Sequence, residues 1–152
     1  MNLNPNDAPW DNILKIGKSV YSLNLSGNSF GSLPSAPLEK LQGLVILNLQ
    51  QCDYKEIPLT IFKLEKVETI ILSHNQITSF QFQNKSPLEM DHLKYLDLCD
   101  NQLSEFEFPK EACSLQNLQE INLGFNKLRK IPENVTLLKS VKTMRLNNNL
   151  ID

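Results

Sequence analysis

Three side chains of this sequence, Cys99, His74 and Asp100, are of types that can carry out covalent chemistry together. A thiolate is a strong nucleophile, an imidazole can take up the thiol proton, and a carboxylate can orient the imidazole. Together with Asp97, the same side chains offer ligand types that zinc accepts. Either site requires that segments distant in sequence are placed side by side by the elements that carry them.

Composition excludes several classes of partner. The formal net charge is −2 at pH 7, from 15 basic and 17 acidic side chains. This balance offers no general attraction to phosphate backbones or anionic lipids, so neither nucleic acid nor a membrane is expected as a partner.

The N-terminal residues lack a secretory signal, and three scattered cysteines are typical of a reducing compartment. We therefore expect a cytoplasmic protein, and because the motifs GxxxxGK(S/T), GxGxxG and HExxH do not occur, we expect no cofactor.

One phrase occurs six times: an apolar residue, two variable residues, Leu-x-Leu or a close equivalent, two more residues, and then usually Asn. The copies are VYSLNLSGN (20–28), LVILNLQQC (44–52), VETIILSHN (67–75), LKYLDLCDN (93–101), LQEINLGFN (118–126) and VKTMRLNNN (141–149). This regular period predicts a solenoid. Leucines two residues apart, such as Leu96 and Leu98, lie on one face of a strand, so that face forms the core.

The six copies resemble the leucine-rich-repeat consensus L-x-x-L-x-L-x-x-N/C-x-L, over about residues 20–152. The resemblance implies an α/β solenoid: a horseshoe with a concave parallel sheet of about six strands and a convex side of short helical or 3₁₀ turns and extended segments. Residues 57–64 and 131–138 resemble the LPxxIxxLxxL variant found in cytosolic Ras-binding scaffolds and plant intracellular relatives. The third and fourth repeats are longer and depart from this variant.

Two further patterns predict how the repeats pack. A buried asparagine ladder is expected at the end of each phrase, because polar side chains that turn inward there must bond to neighbouring backbone. Its members are Asn28, Cys52, Asn75, Asn101, Asn126 and Asn149. The segments Phe80-Gln81-Phe82 and Phe106-Glu107-Phe108 predict two short convex strands with an aromatic core, and the alternative is an exposed aromatic docking patch.

The two ends of the array are expected to differ. Residues 1–19 are predicted to form an N-terminal helical cap that covers the first repeat, and residues 20–152 hold the repeats, the last of them incomplete. We expect that the polypeptide continues beyond residue 152, or that the uncapped last repeat mediates self-association. The cap signals are Asp7 as N-cap, Trp10, Ile13 and Leu14 at helical spacing, and Gly17 as the stop.

The strand residues that do not enter the core should form the binding surface, because they align in rows along the array. Ile46, Ile71 and Tyr95 fall on three adjacent strands and form an apolar centre with an acidic rim. A protein partner with Lys or Arg side chains would complement that rim. The predicted partner-binding residues are Ile46, Ile71, His74, Tyr95, Asp97, Asp100, Glu120, Phe125 and Arg145.

These observations favour a protein-interaction module that acts as a scaffold or regulator. The alternative is that the chain is the recognition domain of a larger signalling enzyme, such as a kinase, phosphatase, GTPase or ubiquitin ligase. An extracellular receptor or a bacterial effector is a third hypothesis, because one fold serves many functions. Catalysis by Cys99 and His74 is disfavoured, because an open strand surface supplies neither an oxyanion hole nor a dry pocket. A zinc site is disfavoured for lack of a supporting shell.

Overall fold

The computed structural model describes residues 13, 15–29, 38, 40–81, 90–108 and 115–152. Each of the six repeats contributes one short strand to a single parallel sheet, in the order β1-β2-β3-β5-β7-β8. These strands are β1 (Ser22–Asn24), β2 (Ile46–Asn48), β3 (Thr69–Ile71), β5 (Tyr95–Asp97), β7 (Glu120–Asn122) and β8 (Thr143–Arg145). The solenoid with its six-stranded parallel sheet, predicted from the repeat, is confirmed.

The alternation of the repeated phrase determines which way each strand faces. The middle residue of a strand, such as Leu47 or Ile70, is fully buried, whereas its two neighbours are only half-buried. The leucine that follows each strand is buried as well, for example Leu72 and Leu98. Successive side chains of a strand point to opposite faces, so the Leu-x-Leu spacing places both leucines in the core.

The asparagine ladder joins successive turns of the solenoid. Asn101 is buried, and its Nδ2 donates to the carbonyl oxygens of Leu72 (3.0 Å) and Leu98 (3.1 Å). Its Oδ1 accepts the backbone N–H of Ile77 at 3.0 Å. Cys52 occupies the same position in the second repeat, where its buried Sγ contacts the Leu25 carbonyl at 3.2 Å. The predicted ladder, with Cys52 as one of its members, is therefore confirmed.

The other side of the core is built differently in different repeats. Two repeats form 3₁₀ helices there, Leu59–Lys63 and Glu133–Leu137. The two longer repeats instead form β4 (Ser79–Gln81) and β6 (Glu105–Glu107), which pair in parallel as a second sheet. Phe80 stacks on Phe106 with ring centroids 4.8 Å apart, and Phe108 packs edge-on to Phe106 at 4.8 Å. All three rings are buried, so the aromatic-core prediction is confirmed; Phe82 lies outside the described residues.

At the N-terminal end, Ile13 packs half-buried against the core and a 3₁₀ turn follows at Gly17–Ser19. This turn lies so close to the second repeat that a Cβ on Gly43 would be 2.6 Å from the Lys18 carbonyl oxygen. The segment before the first strand thus packs directly on the array. Of the cap residues predicted from sequence, Asp7, Trp10 and Leu14 lie outside the described residues. Among the residues that are described, no helix is long and apolar enough to cross a membrane.

Candidate interaction surface

The solvent side of the six-stranded sheet carries two rows of aligned side chains, which we call the outer sheet face; it is the surface expected to be concave. The first row is Ser22, Ile46, Thr69, Tyr95, Glu120 and Thr143, and the second is Asn24, Asn48, Ile71, Asp97, Asn122 and Arg145. Ile46, Ile71 and Tyr95 lie on the adjacent strands β2, β3 and β5, as predicted. They are half-buried, because side chains of neighbouring strands cover their flanks.

Most members of the second row have a structural role. The side-chain oxygens of Asn48, Asp97 and Asn122 each accept the backbone N–H two residues further on, at 2.9, 3.0 and 3.1 Å. Asn24 does the same at 3.0 Å. Such local bonds satisfy the backbone where a strand ends in a turn. Ile71 has no oxygen to offer, so this residue gives up the turn bond that four of the six repeats retain.

The residues just before the ladder form a third line, which we call the turn column. They are Gly27, Gln51, His74, Asp100, Phe125 and Asn148, and all have φ between 52° and 74°. This left-handed region is unfavourable for most L-residues, by about 1–2 kcal/mol, and is unusual for a ring such as that of Phe125. Sequence reasoning missed this constraint, although Gly27 and Asn148 are residue types that tolerate it. The Phe125 side chain is 52% exposed, beside Asp100 in the column.

One ion pair and one histidine–carboxylate contact cross this surface between neighbouring turns. His74 Nδ1 lies 2.6 Å from Asp100 Oδ2, and Arg145 contacts the carboxylate of Glu120 through Nη1. Of the acidic rim expected from sequence, Glu120 is therefore neutralised by Arg145, and Asp100 is in contact with the His74 imidazole. Asp97 is the carboxylate of the rim for which, among the described residues, no contact with a His, Lys or Arg side chain is found.

Cys99 is not activated for nucleophilic catalysis. Burial, followed by the nearby carboxylates of Asp97 and Asp100, raises the pKa of its thiol. The thiol therefore stays protonated at neutral pH, and the thiolate is the reactive form. The imidazole of His74 is turned to Asp100. Within the described part of the chain, no group of His, Cys, Asp and Glu side chains is arranged to hold a metal ion, so the zinc alternative finds no support.

Tyr95 also has a raised pKa, mainly through burial and then through Asp97, while Arg145 lowers it. Its hydroxyl is therefore neutral at physiological pH. A neutral phenol on a half-buried ring can contribute apolar contact area and one hydrogen bond to a partner. This combination is common in the centres of protein interfaces.

The residues 27–31, Gly-Asn-Ser-Phe-Gly, have the GxSxG spacing of a serine nucleophile elbow. Such an elbow requires a strand, a sharp turn and then a helix that orients the serine toward an imidazole. Here Asn28 belongs to the ladder, and the exposed Ser29 hydroxyl donates to the Asp53 carboxylate. Among the described residues no histidine contacts Ser29. Gly27 to Ser29 therefore belong to the repeat turn, and the described residues give no support to a catalytic serine; Phe30 and Gly31 lie outside the described residues.

The structure brings the predicted site residues into two groups. Ile46, Ile71, Tyr95 and Asp97 share the centre of the outer sheet face, with the Glu120–Arg145 pair at one side. The second group, in the turn column, is His74, Asp100 and Phe125. The two groups meet where β3 and β5 end, so all nine residues can contribute to one continuous surface.

Comparisons with known proteins agree with the repeat and the fold. The family model "Leucine Rich repeats (2 copies)" matches residues 91–136, and the model "Leucine Rich Repeat" matches residues 19–41. A leucine-rich-repeat protein of Leptospira interrogans has a similar structure, with a TM-score of 0.76 and 33% identity over 91% of this chain and 34% of that one. The leucine-rich-repeat ectodomain of a membrane receptor kinase of Arabidopsis thaliana has a TM-score of 0.68 and 26% identity, over 90% of this chain and 16% of that one.

Curated relatives are much longer than this chain. Adenylate cyclase of Schizosaccharomyces pombe is 32% identical over 113 residues, which are 74% of this chain and 6% of that protein. Tubulin-specific chaperone E of Mus musculus is 29% identical over 158 aligned positions, covering 95% of this chain and 30% of that protein. The chain thus spans less than a third of either relative. Its six repeats, parallel sheet, ladder and family matches show that it is a leucine-rich-repeat protein.

Proposed function

We propose that the chain is an interaction module that binds a protein partner on its outer sheet face, as a scaffold or regulator in the cytoplasm. Ile71 carries the proposal. Its row otherwise holds Asn or Asp residues that bond to their own strand ends, or the ion-paired Arg145. An apolar residue there gives up one of these bonds, which contact with a partner would explain.

The neighbours of Ile71 strengthen this proposal. Tyr95 and Ile46 are placed diagonally to it on the two flanking strands, because both align with Thr69, two residues before Ile71. Diagonal neighbours across a sheet lie about 7–8 Å or less apart, within reach of large side chains. The three side chains can therefore form one apolar patch, and anchors of this kind provide most of the binding energy in protein interfaces.

Electrostatics would select partners near this patch and add little affinity. Asp97 is the carboxylate available for a partner's Lys or Arg, since Asp100 and Glu120 are already paired. Rim charges mainly accelerate encounter and suppress wrong partners. Phe125 extends the apolar area into the turn column, where its left-handed backbone holds the ring on the surface.

A second candidate is the recognition domain of a larger multidomain enzyme. The short share of each relative that this chain spans favours it, because the matched proteins include an adenylate cyclase and a leucine-rich-repeat serine/threonine-protein kinase. The binding face would be the same in both cases, and only what the bound partner controls would differ. Immunoblotting of the native protein would decide, because a mass far above 17.4 kDa supports the larger enzyme. Self-association through the last repeat stays a prediction.

The experiment is affinity capture with variants that borrow residues from the chain's own rows. In Ile71→Asn/Tyr95→Thr, both positions receive a residue that the same row uses elsewhere, such as Asn48 and Thr69, so the fold should be retained. We expect partners captured by the wild type to be lost with this double variant, because removing two apolar anchors costs about 2 kcal/mol or more each. Mass spectrometry of the captured proteins measures the loss.

The matched control is Glu105→Ala/Glu107→Ala, which changes two exposed residues of β6 on the opposite side of the core. It should capture the same partners as the wild type. Equal capture by all three proteins, with unchanged thermal unfolding, would contradict binding through the outer sheet face.

A further inference from the structure

A shallow recess lies between the second row of the outer sheet face and the turn column. In three successive repeats the position between them holds a small residue: Ser73, Cys99 and Gly124. The repeats on either side hold longer residues at this position, Gln50 and Asn147. Neighbouring strands are about 4.8 Å apart, so three small residues leave an opening about 10 Å long. We call this opening the outer-face recess.

Side chains at this position point across the outer sheet face toward the next strand. A Cβ on Gly124 would lie 2.9 Å from Asn147 Oδ1 and 3.3 Å from Asn122 Oδ1. The Cys99 thiol likewise interacts with the Asn122 side chain, which lies on the next strand. Asn147 therefore closes one end of the recess over Gly124.

Two polar groups face each other in the recess. Because the repeats are equivalent, the Ser73 hydroxyl points toward Asp97 on β5. Ser73 is only 5% exposed, yet among the described residues its hydroxyl has no hydrogen bond. The unpartnered side-chain atoms that are sealed in the described core belong to Tyr54 and Thr60, so the Ser73 hydroxyl opens to the recess. Asp97 accepts the Cys99 N–H through Oδ1 at 3.0 Å, which leaves Oδ2 for a ligand. Unpaired polar groups in a buried place are unfavourable, so a ligand that bonds to both would be stabilised.

The recess favours a cation. Burial raises the pKa of the Cys99 thiol most, and the carboxylates of Asp97 and Asp100 raise it further, so both carboxylates act on the centre of the recess. Asp100 is in contact with the His74 imidazole, whereas Asp97 contacts no basic side chain in the described part of the chain. No group of side chains described here is arranged to hold a metal ion. We therefore expect an organic cation.

The chain itself pairs an arginine with another carboxylate of this surface. Arg145 contacts the Glu120 carboxylate. Burial raises the pKa of Tyr95 most, Asp97 raises it further and Arg145 lowers it, so the Tyr95 ring has a guanidinium and a carboxylate nearby. A guanidinium is flat, offers five donors, stacks on aromatic rings and is more weakly hydrated than an ammonium. These properties suit a recess whose floor is largely buried.

We propose that the outer-face recess binds an arginine side chain of the partner protein. The guanidinium would donate to Asp97 Oδ2 and to the Ser73 hydroxyl, beside the Tyr95 ring. This inference rests on the proposed function, because the partner on the outer sheet face supplies the arginine. An apolar side chain would leave the carboxylate and the hydroxyl unpaired, and a lysine ammonium loses more hydration when it enters such a site.

The test is an NMR titration of the isotope-labelled protein with N-acetyl-arginine amide. A single side chain binds weakly, with an expected dissociation constant of about 1–10 mM, which such a titration measures. We expect the amide signals of Ser73, Asp97 and Cys99 to shift. N-acetyl-lysine amide should bind at least about fivefold more weakly.

Two variants probe the recess. Asp97→Asn removes the charge and keeps the strand end, because Asn48 and Asn122 accept the equivalent N–H in their own repeats. It should weaken binding of the arginine probe about tenfold. Ser73→Gln introduces the residue type that the second repeat holds at this position, and it should weaken binding by filling the recess. The matched control Glu107→Gln removes one exposed charge on β6 and should bind like the wild type.

Three results would overturn the proposal: no shift with the arginine probe, equal affinity for the lysine probe, or binding that Asp97→Asn leaves unchanged. The titration contains no partner protein, so its failure refutes the recess alone. Equal capture by all baits in the affinity experiment would instead contradict binding through the outer sheet face.

Discussion

Asparagine has two structural roles in this protein, and burial decides between them. The ladder residue Asn101 is buried and joins two successive turns of the solenoid through three hydrogen bonds of its amide. Asn48 lies on the outer sheet face, and its side-chain oxygen accepts the N–H of Gln50 at the end of its own strand. A buried polar group without a partner costs far more than a solvated one, because water replaces the lost bond only at the surface.

Substitution by alanine should separate the two roles. Asn101→Ala leaves buried backbone groups of neighbouring turns without partners, so we expect a loss of about 3 kcal/mol or more in the free energy of unfolding. Asn48→Ala removes one partly solvated bond, and the expected loss is about 1 kcal/mol. Urea denaturation measures both. If both variants lost the same free energy of unfolding, the ladder hydrogen bonds would not be what stabilises the contact between successive turns.

The structural role of a residue was predictable from the sequence only where the same residue type, or an accepted substitute, recurs at that position of every repeat. The ladder was predictable, because Asn or its substitute Cys recurs at one position of every repeat. The turn column was not, because His74, Asp100 and Phe125 share a backbone conformation that their side chains do not indicate. Tertiary hydrogen bonds such as His74 N–H to the Cys99 carbonyl, at 2.9 Å, impose that conformation.

At the level of elements, β4 and β6 replace the turns of the shorter repeats because of their aromatic residues. Phe80 and Phe106 occupy the position that Ile57 fills in the second repeat. Stacking at 4.8 Å gains energy beyond burial, by about 0.5–1.5 kcal/mol for such a pair. Two adjacent repeats must both carry the ring, since neither could stack alone.

The stacked pair predicts an ordered response to substitution. Phe106→Ala removes a buried ring that touches Phe80 and Phe108, so the expected loss is about 3–5 kcal/mol. Phe106→Leu keeps most of the volume and should cost about 1.5 kcal/mol. Thermal or chemical unfolding measures the difference. The shorter second repeat has the aliphatic Ile57 at this position, so a leucine should be accepted there. If Phe106→Leu were as unstable as Phe106→Ala, this expectation would be wrong.

Strand positions and register were predictable because the period-two pattern fixes which residues enter the core. The exposure of the residues on the outer sheet face was not predictable, because it depends on neighbouring side chains whose types the pattern does not specify. Ile71 is half-buried between Asn48 and Asp97, which align with it on both sides. The Glu120–Arg145 pair was also missed, because it joins diagonal positions that only a long side chain can span.

As a whole molecule, the solenoid combines local packing with extended surfaces. Each repeat contacts only its neighbours, so a substitution on the outer sheet face should not disturb distant turns. The outer sheet face, with its apolar centre, extends along all six repeats.

Site-specific photo-crosslinking tests the central claim most directly. A photoreactive phenylalanine at Thr69 lies in the row between Ile46 and Tyr95, and one at Glu107 lies on the opposite side of the core. We predict that illumination in cell lysate links the Thr69 variant to a protein partner and leaves the Glu107 variant unlinked. Crosslinks at Glu107 without crosslinks at Thr69 would contradict partner binding by the outer sheet face.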